Sequence, residues 1–516
     1  MFAKPALKKN LVQVIHAPWY PFTVAAYPVS ALLLHNLPQV DATAGLRSLA
    51  ITLCGLTILL LILRLIYRNG HRAAFASAMV TMLFFTYGHA YDLISEKWKI
   101  PHLGTWMLSA WLLLSALVLA WAGMRKALFE GAALPLNVIS LALVLYTAGS
   151  IFWKSFPDSS ASTIVDKNAT VQELVPPEGA SMPDIYYIIV DSYARSDLLE
   201  RDFSYDNSAF LQSLEDLGFY VADCTQSNYN RTDISLASSL NMDYLQNLDP
   251  AYQPGRTSRR TLWESINRSA VRADLEKAGY EMVAFASGFA WSEIKDARVY
   301  KTPSLLFSAL TAFETLLLRT TPLLHLEELG WINFDRIDGE RYRERTVLVY
   351  NSMDTLARMP GPKFVFIHLI PPHPPFIYAP DGSPTDPAAF LNEQERYSQK
   401  AYTEGYRNEV KYISGQIKTA VETLLAKSAV PPIIILQGDH GPWLQTGKDN
   451  FLVLNAYYLP GHSDLLYRTI SPVNTFRLVF DTYFGTHYGL LPDISYYSPI
   501  PKIYEFVEVE NSCQDR

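Results

Sequence analysis

Five long apolar runs fill the first 153 residues, and they constrain the fold of this chain more than any other feature. They are Tyr20–Leu37, Leu46–Ile66, Ala73–Leu93, Leu103–Met124 and Leu134–Trp153. About 20 apolar residues in a helix cross a bilayer, so each run is a candidate membrane span. The first run contains Pro21 and Pro28 and is the least regular. It could instead be a cleaved signal peptide, but the four runs after it favour a five-helix transmembrane anchor over residues 1–153.

The Lys and Arg residues between these runs predict the orientation of the chain. If the N-terminus is cytoplasmic, the basic residues on that side are Lys4, Lys8, Lys9, Arg64, Arg68, Arg72, Arg125 and Lys126. Those on the opposite side are Arg47, Lys97, Lys99 and Lys154. This bias follows the positive-inside rule. Five spans then place the rest of the chain outside the cytoplasm, as in a multi-pass membrane protein with an external C-terminal domain.

The remainder of the chain predicts a linker followed by one α/β domain. Residues 154–182 are rich in Ser, Pro and Glu and have no apolar period, which is typical of a linker. Residues 183–516 alternate strand-like runs with amphipathic helical patterns, which indicates a doubly wound, largely parallel sheet. The predicted strands are Ile185–Val190, Met282–Ala286, Phe364–Leu369, Ile433–Leu436 and Leu452–Tyr458. The predicted helices are Asn207–Leu217, Leu262–Ala278, Arg341–Ala357 and Tyr402–Ala426.

Three of the predicted strands lead into side chains that can bind metals. PPIIILQGDHG reaches Asp439 and His440, PDIYYIIVDS reaches Asp191, and KFVFIHLIPPH reaches His373. Open α/β sheets bind their ligands beyond the carboxyl ends of the strands. Any one of these ends could be a solvated turn. Three together predict a site at this edge of the sheet.

A fourth stretch supplies a hydroxyl group. In Ser227–Tyr244 a polar loop meets an amphipathic run that carries Ile234, Leu236 and Leu240 on one side. Thr232 falls at the predicted N-cap, and a purely structural cap is the simpler interpretation of it alone. Beside the three strand ends, the same hydroxyl at the positive end of a helix becomes a candidate nucleophile.

Taken in order, these residues resemble the alkaline phosphatase superfamily in its sulfatase-like branch. Asp191, Thr232 before SLASSLN, then HLIPPHPPF and GDHG are similar to membrane-bound lipoteichoic acid synthases and phosphoethanolamine transferases. The resemblance implies a sheet of the alkaline-phosphatase and sulfatase type. It implies a divalent metal held by Asp191, Thr232, Asp439 and His440. It also implies that Thr232 is the nucleophile and that His373 lies beside the phosphoryl group.

The sequence departs from the family at three positions. Formylglycine sulfatases carry Cys or Ser in a C/S-x-P/A-x-R pattern, but the matching residues here are Thr232, Ile234 and Leu236, so sulfate ester hydrolysis is not expected. Ser192 stands where sulfatases have a second aspartate, which favours one metal over two. Asp191 stands where lipoteichoic acid synthases have Glu. Oxygen-rich ligands with one imidazole suit Mn²⁺ or Mg²⁺, and Zn²⁺ stays open.

These expectations describe a membrane-anchored phosphotransferase. Thr232 would attack a lipid phosphodiester and pass phosphoglycerol or phosphoethanolamine to a glycan or lipid of the envelope, with His373 as an acid, a base or a phosphate ligand. The alternatives are a phosphodiesterase or similar hydrolase with the same site, and a catalytically silent membrane scaffold. A formal net charge of −7 without a basic stripe argues against nucleic acid as a partner.

Two groups of residues have a weaker assignment. By the resemblance, Trp291 in ASGFAW is a candidate for the substrate pocket, although core packing accounts for most single tryptophans. Arg256, Arg259 and Arg260 form a basic cluster that could meet lipid phosphates. Charge clusters are more often solvated surface, so these arginines are left outside the predicted site.

Two further features bear on the architecture. Pro303–Leu329 is interpreted first as a core helix, and alternatively as an interfacial helix beside the anchor. Cys224 and Cys513 would share an oxidising compartment under the predicted topology, so a disulfide between them would be stable there. Cys54 would lie in a membrane span.

Overall fold

The computed structural model describes most of the chain. The described residues are 17–37, 40, 42–124, 128–155, 172–175, 179, 182–256, 258–303, 310–385, 399–442, 450–511 and 513. They form two compact units, Met1–Phe156 with Leu306–Phe334, and Pro157–Leu305 with Asp335–Arg516. Most of the predicted linker, 154–182, lies outside the described residues, so its boundaries stay a prediction.

The helices and strands are numbered in chain order. The helices are α1 Tyr20–Asn36, α2 Leu46–Tyr67, α3 Gly70–Lys97, α4 Leu103–Met124, α5 Leu128–Ser155, α6 Ser196–Phe203, α7 Ser208–Asp216, α8 Thr232–Ser239, α9 Leu245–Leu248, α10 Arg260–Asn267, α11 Ala270–Lys277, α12 Ala312–Arg319, α13 Leu324–Glu328, α14 Phe334–Arg358, α15 Gln399–Lys427 and α16 Pro472–Tyr483. The strands are β1 Ile185–Val190, β2 Tyr220–Val221, β3 Glu281–Phe285, β4 Val299–Lys301, β5 Lys363–Leu369, β6 Ile433–Gln437, β7 Asn455–Tyr458, β8 Ser495–Tyr497 and β9 Val507–Val509.

In the first unit, helices α1 to α5 cover the five apolar runs. Within the described residues, α2, α3, α4 and the Gly131–Lys154 part of α5 are long and apolar enough to cross a membrane. Helix α1 has 17 residues, or about 25 Å at 1.5 Å per residue, and the hydrocarbon core is about 30 Å thick. Four helices rather than five therefore reach the length of a span. With the N-terminus in the cytoplasm, the C-terminal part of the chain lies outside only if the number of crossings is odd. The predicted orientation therefore requires α1 to cross the membrane as well.

The segment around α12 belongs to the unit of the membrane helices. The first interpretation of Pro303–Leu329, a core helix of the C-terminal domain, is therefore wrong. Residues 304–309 lie outside the described part of the chain. The apolar side of α12 supplies the reason, because Phe313 and Leu317 are buried in one cluster with side chains of α1 and α3. The alternative interpretation, a helix beside the anchor, agrees with this packing.

Glu314 ties α12 to the start of α2. Its side chain is only 7% exposed and forms an ion pair with Arg47. The same carboxylate completes a capping box, since it accepts from the Thr311 N–H at 2.8 Å while the Thr311 hydroxyl accepts from the Glu314 N–H at 3.2 Å. One residue therefore caps the N-terminus of α12 and pairs with a cation at the same time.

The second unit is built on a seven-stranded sheet in the order β2-β7-β6-β1-β5-β3-β4. Strands β6, β1, β5, β3 and β4 run parallel, and β7 and β2 pair antiparallel at one edge. Alternate residues of β1 enter two hydrophobic clusters: Tyr187 and Ile189 lie in one, Tyr186 and Ile188 in the other. Both faces are thus covered, and the predicted doubly wound, largely parallel sheet is confirmed.

Some boundaries differ from the sequence expectations. The predicted strand Leu452–Tyr458 begins at Asn455 and runs antiparallel. The predicted helix Leu262–Ala278 is two helices, because the Ser269 hydroxyl accepts from the Arg272 N–H at 3.3 Å and starts α11. Strands β2 and β4 have two and three residues, too few to show an apolar alternation.

Cys224 and Cys513 form a disulfide with their Cα atoms 5.4 Å apart. The bond joins the C-terminal tail to the loop after β2. Cys54 on α2 is a thiol. The pairing that the sequence left open is therefore present, and it closes a sequence separation of 289 residues.

We expect Glu314→Ala to destabilise the first unit more than Glu314→Gln. Alanine removes both the helix cap and the partner of Arg47, and a lost cap alone costs about 1 kcal/mol. Glutamine keeps an acceptor for the Thr311 N–H but removes the charge. Thermal unfolding of the full-length protein in detergent measures the difference. Additive effects in a double-mutant cycle with Arg47→Gln would contradict a direct ion pair.

Candidate metal centre and nucleophile

Three neighbouring strands of the second unit bring two carboxylates and an imidazole together. Asp191 directly follows β1, Asp439 lies two residues beyond β6, and His368 is the penultimate residue of β5. All three are buried, and one ligand atom of each lies within 4.8 Å of the others. Because β6, β1 and β5 are adjacent and parallel, their carboxyl ends meet at one edge, as ligand sites of open sheets require.

His368 is the site residue that the sequence reasoning missed. The stretch KFVFIHLIPPH predicts His373 as the site residue beyond the strand, and His368 lies within the predicted strand. Its Nε2 atom lies 3.2 Å from Asp191 Oδ2, and its Nδ1 atom lies 2.9 Å from the Ser292 hydroxyl. The available signal was a titratable residue inside an otherwise apolar strand, one position before its end. His368 therefore places a second imidazole, in addition to that of His440, within reach of a metal bound by the predicted ligands.

His440 faces the same carboxylates. Its Nδ1 atom lies 2.7 Å from the Gly441 carbonyl oxygen, which can only accept, so Nδ1 carries the proton that it donates. Its Nε2 atom then faces Thr232 Oγ1 at 3.2 Å, Asp191 Oδ1 at 3.5 Å and Asp439 Oδ2 at 3.6 Å. The structure thus brings together all four residues that the resemblance named as ligands.

Ser192 holds the two carboxylates in place, a role that the sequence, which marked it only as the substitute for a second aspartate, did not predict. Its backbone N–H donates to Asp439 Oδ1 at 2.9 Å, and its hydroxyl donates to Asp191 Oδ1 at 3.2 Å. Its carbonyl accepts from the Tyr406 hydroxyl at 2.7 Å. The φ angle of Ser192 is +62°, a left-handed conformation that residues with a Cβ adopt at a cost. The residue that replaces the second aspartate of sulfatases is therefore a positioning residue.

The residues of this cluster fit a divalent metal. Asp439 Oδ2 is buried and has no hydrogen-bond partner within the described part of the chain. A buried carboxylate oxygen without a donor is costly unless a cation meets it. Two carboxylates with two imidazoles in reach form a donor set suited to Zn²⁺ or Mn²⁺. The second imidazole makes the set less like a typical Mg²⁺ site than the sequence suggested.

The protonation of the cluster follows from its burial. Burial alone would raise the pKa of Asp191, but His373, His368 and His440 outweigh it and hold this pKa below its ordinary value. Burial alone would lower the pKa of His440, but Asp439 and Asp191 outweigh it and raise this pKa above its ordinary value. Both shifts have the same physical origin, which is the attraction between carboxylates and imidazoles that are buried together.

Thr232 is the first residue of α8 and not its N-cap. The N-cap is Arg231, with an extended backbone (φ −155°, ψ 146°) and no side-chain hydrogen bond to the helix. The predicted cap position was therefore one residue off. The Thr232 hydroxyl contacts His440 and does not cap its own helix. Its Oγ1 atom therefore lies at the N-terminal, positive end of α8.

A family model described as Sulfatase matches residues 183–468, more than half of the chain. The chain belongs to the sulfatase family. It is therefore an enzyme of the phosphoryl-transfer or ester-hydrolase kind, as the sequence predicted. No curated protein sequence matches it.

Several solved structures are similar to this sulfatase-family chain. Lipooligosaccharide phosphoethanolamine transferase A (EptA) from Neisseria meningitidis is 13% identical, with a TM-score of 0.38 over 90% of this chain and 94% of that one. The periplasmic domain of EcEptC from Escherichia coli is 11% identical, with a TM-score of 0.39 over 65% and 96%. Phosphonate monoester hydrolase of Agrobacterium radiobacter is 12% identical, with a TM-score of 0.37 over 62% and 82%. Likenesses this low carry no substrate over to this chain.

The predicted catalytic His373 lies beside the cluster of the sulfatase-family domain. Its ring centroid is 6.2 Å from that of His440. Its Nδ1 atom donates to the Pro374 carbonyl oxygen at 2.7 Å, which fixes the tautomer. The ring is thus close enough to influence Asp191 electrostatically, while its catalytic role stays a prediction.

Trp291 lies in a 3-10 turn, Ala290–Ser292, one residue from the cluster. Its ring centroid is 4.5 Å from that of Phe289 and 6.2 Å from that of Trp263. The next residue, Ser292, contacts His368. Trp291 is therefore joined to the cluster through its chain neighbour Ser292, and its contact with substrate stays a prediction.

Glu409 of α15 holds the loop that carries His373. The side chain is fully buried, and one of its oxygens accepts from the backbone N–H groups of Ile377 and Tyr378. Burial outweighs these two hydrogen bonds and raises the pKa of Glu409 well above its ordinary value. This shift favours the protonated carboxyl group, whose oxygen accepts from the two N–H groups of the loop.

We expect Glu409→Gln to be tolerated and Glu409→Leu to be damaging. Glutamine presents the same neutral carbonyl acceptor, whereas leucine leaves two buried N–H groups unpaired at about 1–3 kcal/mol each. Denaturant unfolding of the full-length protein, together with activity, measures both variants. Equal loss in both would show that the charge of Glu409 is needed, which would contradict its raised pKa.

We expect the wild-type protein to bind a divalent metal with a stoichiometry of about one, and Asp439→Asn to weaken it by at least about ten-fold. The amide removes the charge that meets the cation. Titration followed by elemental analysis gives the affinity. Asp223→Asn is the matched control, because Asp223 pairs with Arg468 away from the cluster. His368→Gln decides whether the second imidazole is a ligand.

Proposed function

We propose that this protein is a membrane-anchored, metal-dependent phosphotransferase. It moves a phosphoglycerol or phosphoethanolamine group from a membrane lipid to a glycan or lipid of the cell envelope through a covalent intermediate on Thr232. The observation that carries the proposal is Thr232 Oγ1, 3.2 Å from His440 Nε2 at the first residue of a helix. A hydroxyl at that position can act as a nucleophile because the positive helix end favours its ionised form.

The metal centre supports a reaction at phosphorus. A divalent ion held by Asp191, Asp439 and His440 would neutralise charge on the phosphoryl oxygens and on the Thr232 oxygen. At the start of α8 the Ile234 N–H donates to Asp233 Oδ1 at 3.1 Å, which leaves the backbone N–H groups of Thr232 and Asp233 to donate to the same oxygens. Thr232 also excludes a formylglycine, which is made from Cys or Ser. The site therefore favours phosphate esters over sulfate esters.

The transfer balances as a double displacement. In the first half-reaction the Thr232 oxygen bonds to phosphorus, the bond from phosphorus to the lipid alcohol breaks, and that alcohol leaves with a proton. In the second, an acceptor hydroxyl bonds to phosphorus, the bond to Thr232 breaks, and Thr232 regains a proton. His373 can carry this proton, and since Nδ1 is engaged by Pro374, the transfer falls to Nε2.

The architecture supports a lipid donor. The same chain carries four helices of spanning length and apolar composition, so the catalytic domain is tethered to a bilayer. The Cys224–Cys513 disulfide supports a compartment outside the cytoplasm, where disulfides persist. Both observations agree with a multi-pass inner-membrane protein whose catalytic domain faces the envelope.

We expect a covalent adduct on the wild-type protein and none on Thr232→Ala. The purified full-length protein is incubated with Mn²⁺ or Zn²⁺ and vesicles that contain phosphatidylglycerol and phosphatidylethanolamine, and its intact mass is measured. The added mass identifies the head group. Head-group release should fall by roughly a thousand-fold or more in Thr232→Ala.

Thr232→Ser is the matched control, because it keeps a hydroxyl at the same position and should retain the adduct. Head-group release into water without transfer to an added acceptor would identify a hydrolase with the same nucleophile. Release by Thr232→Ala at the wild-type rate would refute the covalent intermediate.

A further inference from the structure

Two arginines share one carboxylate next to the proposed nucleophile. Arg231 Nη2 lies 3.5 Å from Asp233 Oδ1, and Arg259 Nη1 lies 3.6 Å from Asp233 Oδ2. One carboxylate cannot neutralise two guanidinium groups. The group of three side chains, which we call the Arg231–Arg259 pair with Asp233, therefore carries one net positive charge.

These two ion pairs are looser than others in the same domain. Arg468 makes two hydrogen bonds to Asp223, at 2.8 and 2.9 Å. Neither arginine beside Asp233 reaches such a distance. Arg231 Nη1 is buried and has no partner among the described residues. A buried donor left unpaired costs about 1–3 kcal/mol, so the arrangement lacks an acceptor.

The Arg231–Arg259 pair with Asp233 lies beside Thr232 and is partly exposed, so an incoming group can reach it. Arg231 and Asp233 are the residues immediately before and after Thr232. The Arg231 side chain is 14% exposed and that of Arg259 is 37% exposed, so one is set into the protein while the other reaches solvent. The backbone before Arg259 is fixed, because the Ser258 carbonyl accepts from the buried Tyr504 hydroxyl at 2.5 Å.

The three arginines of the basic cluster, Arg256, Arg259 and Arg260, have different surroundings in the structure. Arg256 is exposed, and Arg260 bonds Glu264 on its own helix at 3.0 Å, so both agree with a solvated surface. Arg259 instead reaches toward Asp233. Arg259 is therefore the member of the cluster that lies beside Asp233, the residue after Thr232.

We propose that Arg231 and Arg259 form a subsite beside Thr232 that binds a phosphate-type oxyanion of the substrate. Guanidinium groups match phosphate oxygens in geometry as well as in charge, and an anion here would give Arg231 Nη1 the acceptor that it lacks. The part of this proposal that concerns the reaction at Thr232 rests on the proposed function. Anion binding by the two arginines does not depend on that function. The oxyanion comes either from the lipid phosphodiester or from a phosphate on the acceptor.

Binding without turnover tests the subsite directly. Full-length Thr232→Ala protein is titrated with dimethyl phosphate, a monoanionic phosphodiester, by calorimetry. Adding Arg231→Gln or Arg259→Gln should weaken binding by about ten-fold each, since charged hydrogen bonds to phosphate are lost. Arg260→Gln is the matched control and should leave binding unchanged. Affinities within two-fold of the parent in both Arg231→Gln and Arg259→Gln would overturn the proposal.

Asp233→Asn separates a binding role from a structural one. Removing the shared carboxylate raises the net positive charge, so a subsite should bind dimethyl phosphate several-fold more tightly. A purely structural ion triad would instead lose thermal stability with no gain in affinity, and that result would overturn the proposal. If Arg231→Gln fails to fold, the partly exposed Arg259→Gln decides the question.

The two half-reactions separate the two sources of the oxyanion. Slower formation of the Thr232 adduct in Arg259→Gln assigns the subsite to the lipid phosphodiester. Normal adduct formation with slower transfer to a phosphorylated acceptor assigns it to the acceptor. If wild type forms no adduct but still binds dimethyl phosphate through the arginines, the proposed covalent transfer fails while the subsite stands.

Discussion

The burial of Asp191 and Asp439 side by side is the constraint on which the rest of the site depends. Taking an ionised carboxylate out of water costs several kcal/mol unless positive charge or donors replace the water. Here the replacements are two imidazoles and the N–H and hydroxyl groups of Ser192. They still leave Asp439 Oδ2 without a donor in the described part of the chain. The fold therefore provides a place for a cation before any substrate arrives.

The sheet makes this convergence predictable from sequence. Parallel strands buried on both faces appear as continuous apolar runs, so β1, β5 and β6 could be found without a structure. Their carboxyl ends share one edge, which placed Asp191, Asp439 and His440 together. The helical start at Thr232 followed from its amphipathic run. The fold class and the predicted metal-binding set were thus accessible because they depend on local pattern and strand direction.

The remaining features depend on register and on long-range partners. His368 faces the site because it pairs with Ile189 of β1, two residues before Asp191, and that register is invisible in either strand alone. Ser192 positions the carboxylates through its backbone conformation, which cannot be inferred from its residue type. Glu314 and Arg47 are 267 residues apart, and Arg259 is 26 residues from Asp233. Charge partners at such distances follow from tertiary packing, and local sequence patterns do not specify them.

The net charge around the candidate metal centre bears on the charge of the substrate that can bind there. Two ionised carboxylates balance a divalent ion, and neutral imidazoles leave that balance unchanged. Arg231 and Arg259 with Asp233 then contribute a single positive charge beside Thr232. A monoanionic phosphodiester would bring the assembly to neutrality, whereas a phosphate monoester dianion would leave it negative in a partly buried place. Under the proposed function, these charges would therefore match a monoanionic phosphodiester better than a dianionic phosphate monoester.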